Sequence, residues 1–196
     1  MISWFQLFVY ERFKMSSDEV VKLIFDCFHR NGGRQYGESV TELEHALQTA
    51  TFAMKFNDTD SVVVASLLHD FGHLQHDAGE DIALRGIDMC HENLGAIKLK
   101  SFFGPEIVEP IRLHVAAKRY LCNKSKSYID GLSSASLLSL KIQGGPMSDL
   151  EAAKFEENPY HQSAVRLRKY DDMGKVPGMQ TPTLGEFKSL IIDALL

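Results

Sequence analysis

Residues 61–73 read Ser-Val-Val-Val-Ala-Ser-Leu-Leu-His-Asp-Phe-Gly-His, and whether this stretch is strand or helix decides the fold. Its valine run favours a strand by propensity. The flanking residues show no alternation and nothing nearby reads as a partner strand, so residues 61–69 are expected to form a buried helix.

Working outward, the same helical reading recurs on both sides. Ser16-Ser17-Asp18-Glu19 places capping residues just before Val20, Val21, Leu23, Ile24 and Phe28, and Asn31-Gly32-Gly33 ends that helix. Val40, Leu43, Leu47, Ala50 and Met54 repeat at three and four residues, one face of a helix closing near Asn57-Asp58, with His45 off that face. Further helices are expected at about residues 88–103, 105–120, 133–142, 148–155, 159–170 and 183–196, with glycine and proline marking the breaks. No repeat, linker or hairpin signal interrupts them. The expected fold is an all-α bundle.

Length and composition fit one such unit. A chain of 196 residues set against roughly 150 per domain reads as a single domain over 16–196 behind an N-terminal extension, residues 1–15. The extension is hydrophobic but lacks the basic start and small-residue cleavage site of a signal peptide. With 44% apolar and 24% charged residues the chain has material for a core. A net charge of −5 argues against a nucleic-acid or anionic-membrane partner. The longest apolar stretches fall short of the roughly 20 residues of a membrane span. Cys27, Cys90 and Cys122 are odd in number and form no Cys-x-x-Cys pair, as expected of free thiols in a reducing cytoplasm.

The chemistry lies in the spacing of histidines and carboxylates. His69-Asp70 ends the most apolar segment and is followed by His73. A carboxylate buried beside imidazoles is costly unless a positive charge compensates, and a metal cation is the common solution. His45, His91 and His114 recur singly in other expected helices. Each alone is ordinarily a capping, surface or hydrogen-bonded core histidine; together, in an all-helical chain, they describe the HD-domain signature H…HD…H…H, closed by a distant Asp.

The resemblance extends further. Tyr36-Gly37-Glu38, Leu43-Glu44-His45, Leu67-Leu68-His69-Asp70-Phe71-Gly72-His73, His91-Glu92-Asn93-Leu94-Gly95-Ala96, the run from His114 to Leu121, Gln143-Gly144-Gly145-Pro146-Met147 and Arg168-Lys169-Tyr170-Asp171 resemble, in order, the PhnZ/TmpB-like HD-domain mixed-valent diiron oxygenases. Members of that family cleave the C–P bonds of organophosphonates. The resemblance runs from about Ser16 to Lys175 and implies an HD-domain helical bundle holding two iron ions in the Fe(II)/Fe(III) state, with O2 as cosubstrate. It implies that His45, His69, Asp70 and Asp171 hold one iron, while bridging Asp70, His91 and His114 hold the other with positions left open.

The same carry-over makes His73, Lys118, Ser136, Gln143 and Arg168 phosphonate-binding. His73 stands four residues after His69, Lys118 four after His114, and Arg168 three before Asp171, which on a helix puts each one turn from a ligand. Tyr36 and Glu38 are implied as catalytic, the Tyr occupying the open iron until substrate arrives and the Glu facing the substrate's cationic end. This chain has one residue fewer between the two than the family pattern, and Phe71 replaces an aliphatic residue after the His-Asp doublet. Those changes favour an N-trimethylated substrate, since quaternary ammonium groups are met by aromatic faces.

The implied reaction takes (R)-1-hydroxy-2-(trimethylammonio)ethylphosphonate to glycine betaine and phosphate, or the 2-amino analogue to glycine and phosphate. The resemblance also implies an upstream 2-oxoglutarate-dependent hydroxylase as pathway partner. The competing reading is an HD-domain metal-dependent phosphohydrolase, in which metal-bound hydroxide attacks a phosphate ester. A non-catalytic nucleotide sensor is disfavoured because every ligand position is filled.

Overall fold

The computed structural model describes residues 15–35, 39–75 and 89–196. Tyr36, Glu38, residues 1–14 of the expected extension and the start of the helix expected from residue 88 lie outside them. Among the described residues there are ten α-helices and no strand. These are α1 (Ser17–Asn31), α2 (Glu42–Lys55), α3 (Asp60–Leu68), α4 (His91–Leu99), α5 (Pro105–Lys124), α6 (Lys126–Asp130), α7 (Ser134–Ile142), α8 (Asp149–Glu156), α9 (His161–Met173) and α10 (Lys188–Asp193). Short 3-10 turns lie at His73–Gln75 and Leu184–Phe187.

The valine-rich stretch is helical. Thr59 caps α3 by accepting the Val62 N–H, and every residue from Val62 to Leu68 is buried. A helix buried on all sides has no polar stripe to betray its period. The sub-kilocalorie penalty of β-branched residues in a helix (about 0.5 kcal/mol each) is small beside the burial of three valines, about 1.5–3 kcal/mol each. Capping boxes Ser16/Glu19 and Thr41/Glu44 start α1 and α2, and Pro105 opens α5, where a missing N–H costs nothing.

The main core gathers α1 to α5, α9 and the C-terminal turns around Leu67, Leu68, Leu99, Ile107, Ile111 and Leu167. A second, smaller cluster of Leu113, Ala117, Met147, Ala152, Phe155 and Ala164 fixes α8 against α5 and α9. α5 is the central strut, packing on α3, α4 and α9, while α2 packs on α3 and α9. No helix among the described residues is long and apolar enough to cross a membrane.

Three expectations change. α3 stops at Leu68 with His69 as its cap, and His73 begins a separate 3-10 turn, so His69 and His73 do not share a helical face. The helix expected over 88–103 runs only from His91 to Leu99. Cys90, which falls inside that expected helix, instead precedes α4, exposed and in a left-handed conformation, φ 48°.

Candidate metal centre

Five segments deliver six potential ligands to one place: α2 brings His45, the end of α3 His69 and Asp70, the start of α4 His91, the middle of α5 His114, and the last turn of α9 Asp171. All six are buried. The close approach of α4 depends on glycine. A Cβ on Gly72 would stand 2.0 Å from the His91 carbonyl oxygen and 3.0 Å from Gly95 N, and one on Gly95 would stand 3.2 Å from Gly72 N. Backbone therefore lies on backbone where the His-Asp turn meets α4, and His91 is carried up to Asp70.

The imidazoles are oriented from behind. Nδ1 of His45 donates to Gly174 O at 2.8 Å, Nδ1 of His69 to Ser66 O at 2.9 Å, and Nδ1 of His114 to Ile111 O at 2.7 Å. A carbonyl only accepts, so each of these Nδ1 atoms carries a proton, and a ring in its neutral form presents a bare Nε2 lone pair. His45 Nε2 and His69 Nε2 are 3.1 Å apart, as are His91 Nε2 and His114 Nε2. For His45 and His69, both donating through Nδ1, lone pairs facing at that distance require a proton or a cation between them.

Asp70 stands between the two pairs. Its Oδ2 lies 3.2 Å from His69 Nε2 and 3.6 Å from His45 Nε2, and its Oδ1 lies 3.2 Å from His91 Nε2 and 3.5 Å from His114 Nε2. Neither oxygen has a hydrogen-bond partner, nor has Asp171 Oδ1, which is 3.4 Å from His45 Nε2. Two three-donor groups result, His45/His69/Asp171 and Asp70/His91/His114, each with ligand atoms within 4.8 Å of one another. Orphaned buried carboxylate oxygens turned towards converging imidazole nitrogens are what a pair of cations would satisfy. The residues present thus fit two metal ions sharing Asp70.

The electrostatics agree. Burial opposes protonation of His69, yet the carboxylates of Asp70 and Asp171 outweigh it and hold the group up to about 9. At His114, burial and the facing His91 ring push the value well down. Burial would raise Asp70, but His69 and His91 hold its carboxyl well below the ordinary range. The centre calls for positive charge that four crowded imidazoles cannot all supply.

Beside the ligands lies a cationic wall. Arg168 on α9 is 4% exposed; its Nη1 donates to Asp171 Oδ2 at 2.7 Å, leaving Oδ1 towards His45. Its Nε donates to Tyr128 Oη at 3.2 Å, its Nη2 pairs with Asp172, and Tyr128 also bonds Asp172. Lys118, buried on α5, donates to Ser139 Oγ at 2.7 Å. Lys175 donates to Ser136 Oγ at 3.0 Å. Of the residues expected to bind phosphonate, Lys118, Ser136 and Arg168 belong to this wall, and His73 stacks on His91 with ring centroids 4.0 Å apart. Gln143 caps α7, with a buried Oε1 that has no hydrogen-bond partner. Its loop is tied to α5 by Arg119 Nε donating to Gly145 O and Met147 N donating to Arg119 O.

The sequence reading passed over Lys175, Ser139, Tyr128 and Asp172. Only Asp172 had a local signal, as the neighbour of Asp171 four residues after Arg168. Phe71, read as a possible cation-facing ring, is instead 2% exposed and packed edge-on against Phe28 in the main core.

Comparison with known proteins matches these observations. The HD domain profile covers residues 43–142. A hydroxymethylphosphonate dioxygenase of Gimesia maris is 45% identical over 178 residues, covering 90% of this chain and 89% of that protein. A 1-hydroxy-2-(trimethylamino)ethylphosphonate dioxygenase (glycine-betaine-forming) of Leisingera caerulea is 40% identical over 179 residues, 91% of each chain. An uncharacterised protein of Acanthamoeba polyphaga mimivirus is 33% identical over 178 residues, 89% of this chain and 81% of that one.

Proposed function

This chain belongs to the HD-domain family of the phosphonate dioxygenases, and we propose that it cleaves the C–P bond of a 1-hydroxyphosphonate with O2, releasing phosphate. The observation that carries this reading is Asp70, with one oxygen turned to each imidazole pair, beside a wall that holds Lys118 and Arg168. His45, His69 and Asp171 would hold one iron, His91 and His114 the other, and Asp70 both. A nitrogen and oxygen donor set without thiolate suits iron. Bound as an Fe(II)/Fe(III) pair, the two ions would supply O2 activation and accept electrons from the substrate.

The chain's own residues bind and place. Lys118 and Arg168 supply charge-assisted donors for the phosphonate oxygens, worth roughly 1.5–3 kcal/mol each, and the Ser136 hydroxyl adds a neutral one. Three protein donors at the second group leave room for the substrate hydroxyl. Anchoring the phosphonate at a fixed distance from that position aims the C1–H bond. His73, stacked on His91, walls the second group. Conversion of a 1-hydroxyphosphonate and O2 into a carboxylic acid and phosphate is a four-electron oxidation matched by four-electron reduction of O2, so no reductant is consumed. The C1 hydroxyl must be installed beforehand, the reaction of a 2-oxoglutarate-dependent hydroxylase.

Both named relatives take 1-hydroxyphosphonates and differ in what C1 carries. With Phe71 in the core, the preference for the trimethylated substrate depends on Glu38, which lies outside the described residues, and hydroxymethylphosphonate is an equal candidate. Phosphate release from these two and from the 2-amino compound, measured with and without O2 and in direct competition, tests the reading. One O2 consumed per phosphate is the expected result. Equal release without O2, or release from a phosphate ester alone, would replace the oxygenase with a phosphohydrolase.

A further inference from the structure

His45 and Asp171, two donors of one candidate metal group, come from α2 and α9, and the chain just beyond α9 returns to α2 behind the first of them. Gly174 caps α9, its N–H bonding back to Tyr170 O at 2.9 Å and Asp171 O at 3.1 Å, while its own carbonyl accepts from His45 Nδ1. Two residues on, the backbone of Val176 meets both ends of the Gln48 side-chain amide. Gln48 Nε2 donates to Val176 O at 2.9 Å, and Val176 N donates to Gln48 Oε1 at 2.8 Å. Gln48 is 2% exposed and stands one helical turn after His45.

The contact is close-fitting as well as hydrogen-bonded. A Cβ on Gly174 would stand 2.5 Å from Thr49 Oγ1, 3.1 Å from Thr49 N and 3.3 Å from His45 O, and Thr49 Oγ1 is held there by donating to His45 O at 2.8 Å. Glycine therefore lets the end of α9 lie on α2 at the turn that carries His45. A carboxamide suits the neighbouring contact because it offers a donor and an acceptor side by side to one residue's backbone. α2 has its own capping box at Thr41/Glu44, so the Gln48 amide serves the junction between the two elements rather than the helix it belongs to.

We infer that Gln48 is a positioning residue for the metal centre: by holding the backbone at Val176 it keeps Gly174 O behind His45 Nδ1, and so fixes the tautomer and the direction of the ring whose Nε2 lies 3.4 Å from Asp171 Oδ1. This rests on the proposed reading of the two donor groups as a pair of iron positions, and it is independent of which phosphonate is the substrate. Because His45 and Asp171 reach the centre from separate elements, the same contact sets the spacing between them as well as the orientation of one.

The test uses the full-length protein loaded with Fe(II) under anaerobic conditions, with each ion competed away by a chromogenic chelator. Gln48→Met keeps the length of the side chain and removes both hydrogen bonds. Val176 is 46% exposed, so its freed amide groups can bond water and the variant still folds. Iron in the His45 group should be held about ten- to a hundredfold more weakly, the range for groups that orient a metal ligand, with iron in the His91 group unchanged. The decisive comparison is made in two backgrounds. With His114→Ala, which weakens the second group, Gln48→Met should still loosen the remaining ion; with His45→Ala it should change nothing further, since no ring is left for Gly174 O to orient. Gly174→Ala should reproduce the loss through its clash with Thr49, and adding Thr49→Ala should relieve part of it. Iron retention in Gln48→Met equal to wild type, equal weakening of both ions, or the same loss with and without His45 would overturn the inference. Wild type that holds iron in neither group would remove the two-ion reading and this inference with it. Selective, His45-dependent loss in a protein that shows no O2-dependent C–P cleavage would uphold the positioning role while removing the oxygenase reading.

Discussion

The two donor groups differ in how firmly they are held. His45 and His69 are fully buried, both rings are pinned through Nδ1 to backbone carbonyls, and Asp171 is clamped by Arg168. In the other group His114 is pinned in the same way, but His91 is 9% exposed and sits in the first turn of a short helix entered through the left-handed Cys90. Behind its ring is a carboxylate, Glu92 Oε2 at 3.8 Å from Nδ1. A site meant to retain an ion benefits from rings that cannot turn; one that must also admit substrate needs an accessible side. The first group has the character of an anchor and the second that of a working position.

The sharpest way to break this comparison is to remove what the groups share. Asp70→Ala should empty both positions and abolish activity, because each of its oxygens faces one imidazole pair. Metal analysis of the purified variant checks it, and two ions retained per chain would show that Asp70 does not bridge.

Next in size is Gly72→Ala. The added Cβ would lie 2.0 Å from the His91 carbonyl, so α4 must withdraw, at about 1–3 kcal/mol for overpacking. The second ion should be lost while the first stays, with a lowered melting temperature. Loss of both ions in equal measure would mean that the two groups do not behave independently. A chelator time course on wild type probes the same asymmetry and should show two phases, the faster one belonging to the His91 group.

On the proposed function Lys118 would act on substrate and leave the metals alone. Lys118→Ala should raise KM about ten- to a hundredfold at unchanged metal content. Because burial and neighbouring Arg168 lower this group to about 7, its charge is present below that pH and is lost as pH rises through it. The kcat/KM of wild type, which reports the free enzyme, should fall on the alkaline side. Lys118→Arg should flatten that limb, and a limb unchanged in the Arg variant would assign it to another group.

The smallest expected effect is at Glu92→Gln, which keeps the shape behind His91 and removes the charge. Affinity for the second ion should fall several-fold, towards the lower end of the roughly 10–100-fold typical of groups that orient a metal ligand, with the first ion unaffected. Equal weakening at both positions would show that Glu92 acts on overall charge and does not orient His91.

Much of this centre was legible because its signals are local. A His-Asp doublet ending a wholly apolar run can be read without knowing the partner elements, and so can capping boxes at Ser16/Glu19 and Thr41/Glu44. Reading His73 by helical periodicity failed for the same reason: periodicity holds only while the helix lasts, and α3 ends at Leu68. The ring reached the centre by another route, stacked on His91.

What the sequence by itself determined is therefore the helical class, the donor types and their order along the chain, all of which depend on residues within a turn or two of one another. Which oxygen of Asp70 faces which pair, that Gly174 O orients His45, that Phe71 belongs to the core and that Lys175 meets Lys118 across one turn of α7 were decided only by the tertiary structure. Those relations join elements far apart in the chain. Their distances are set by how buried helices close-pack, where a single methylene changes the fit, and no spacing in the sequence encodes that.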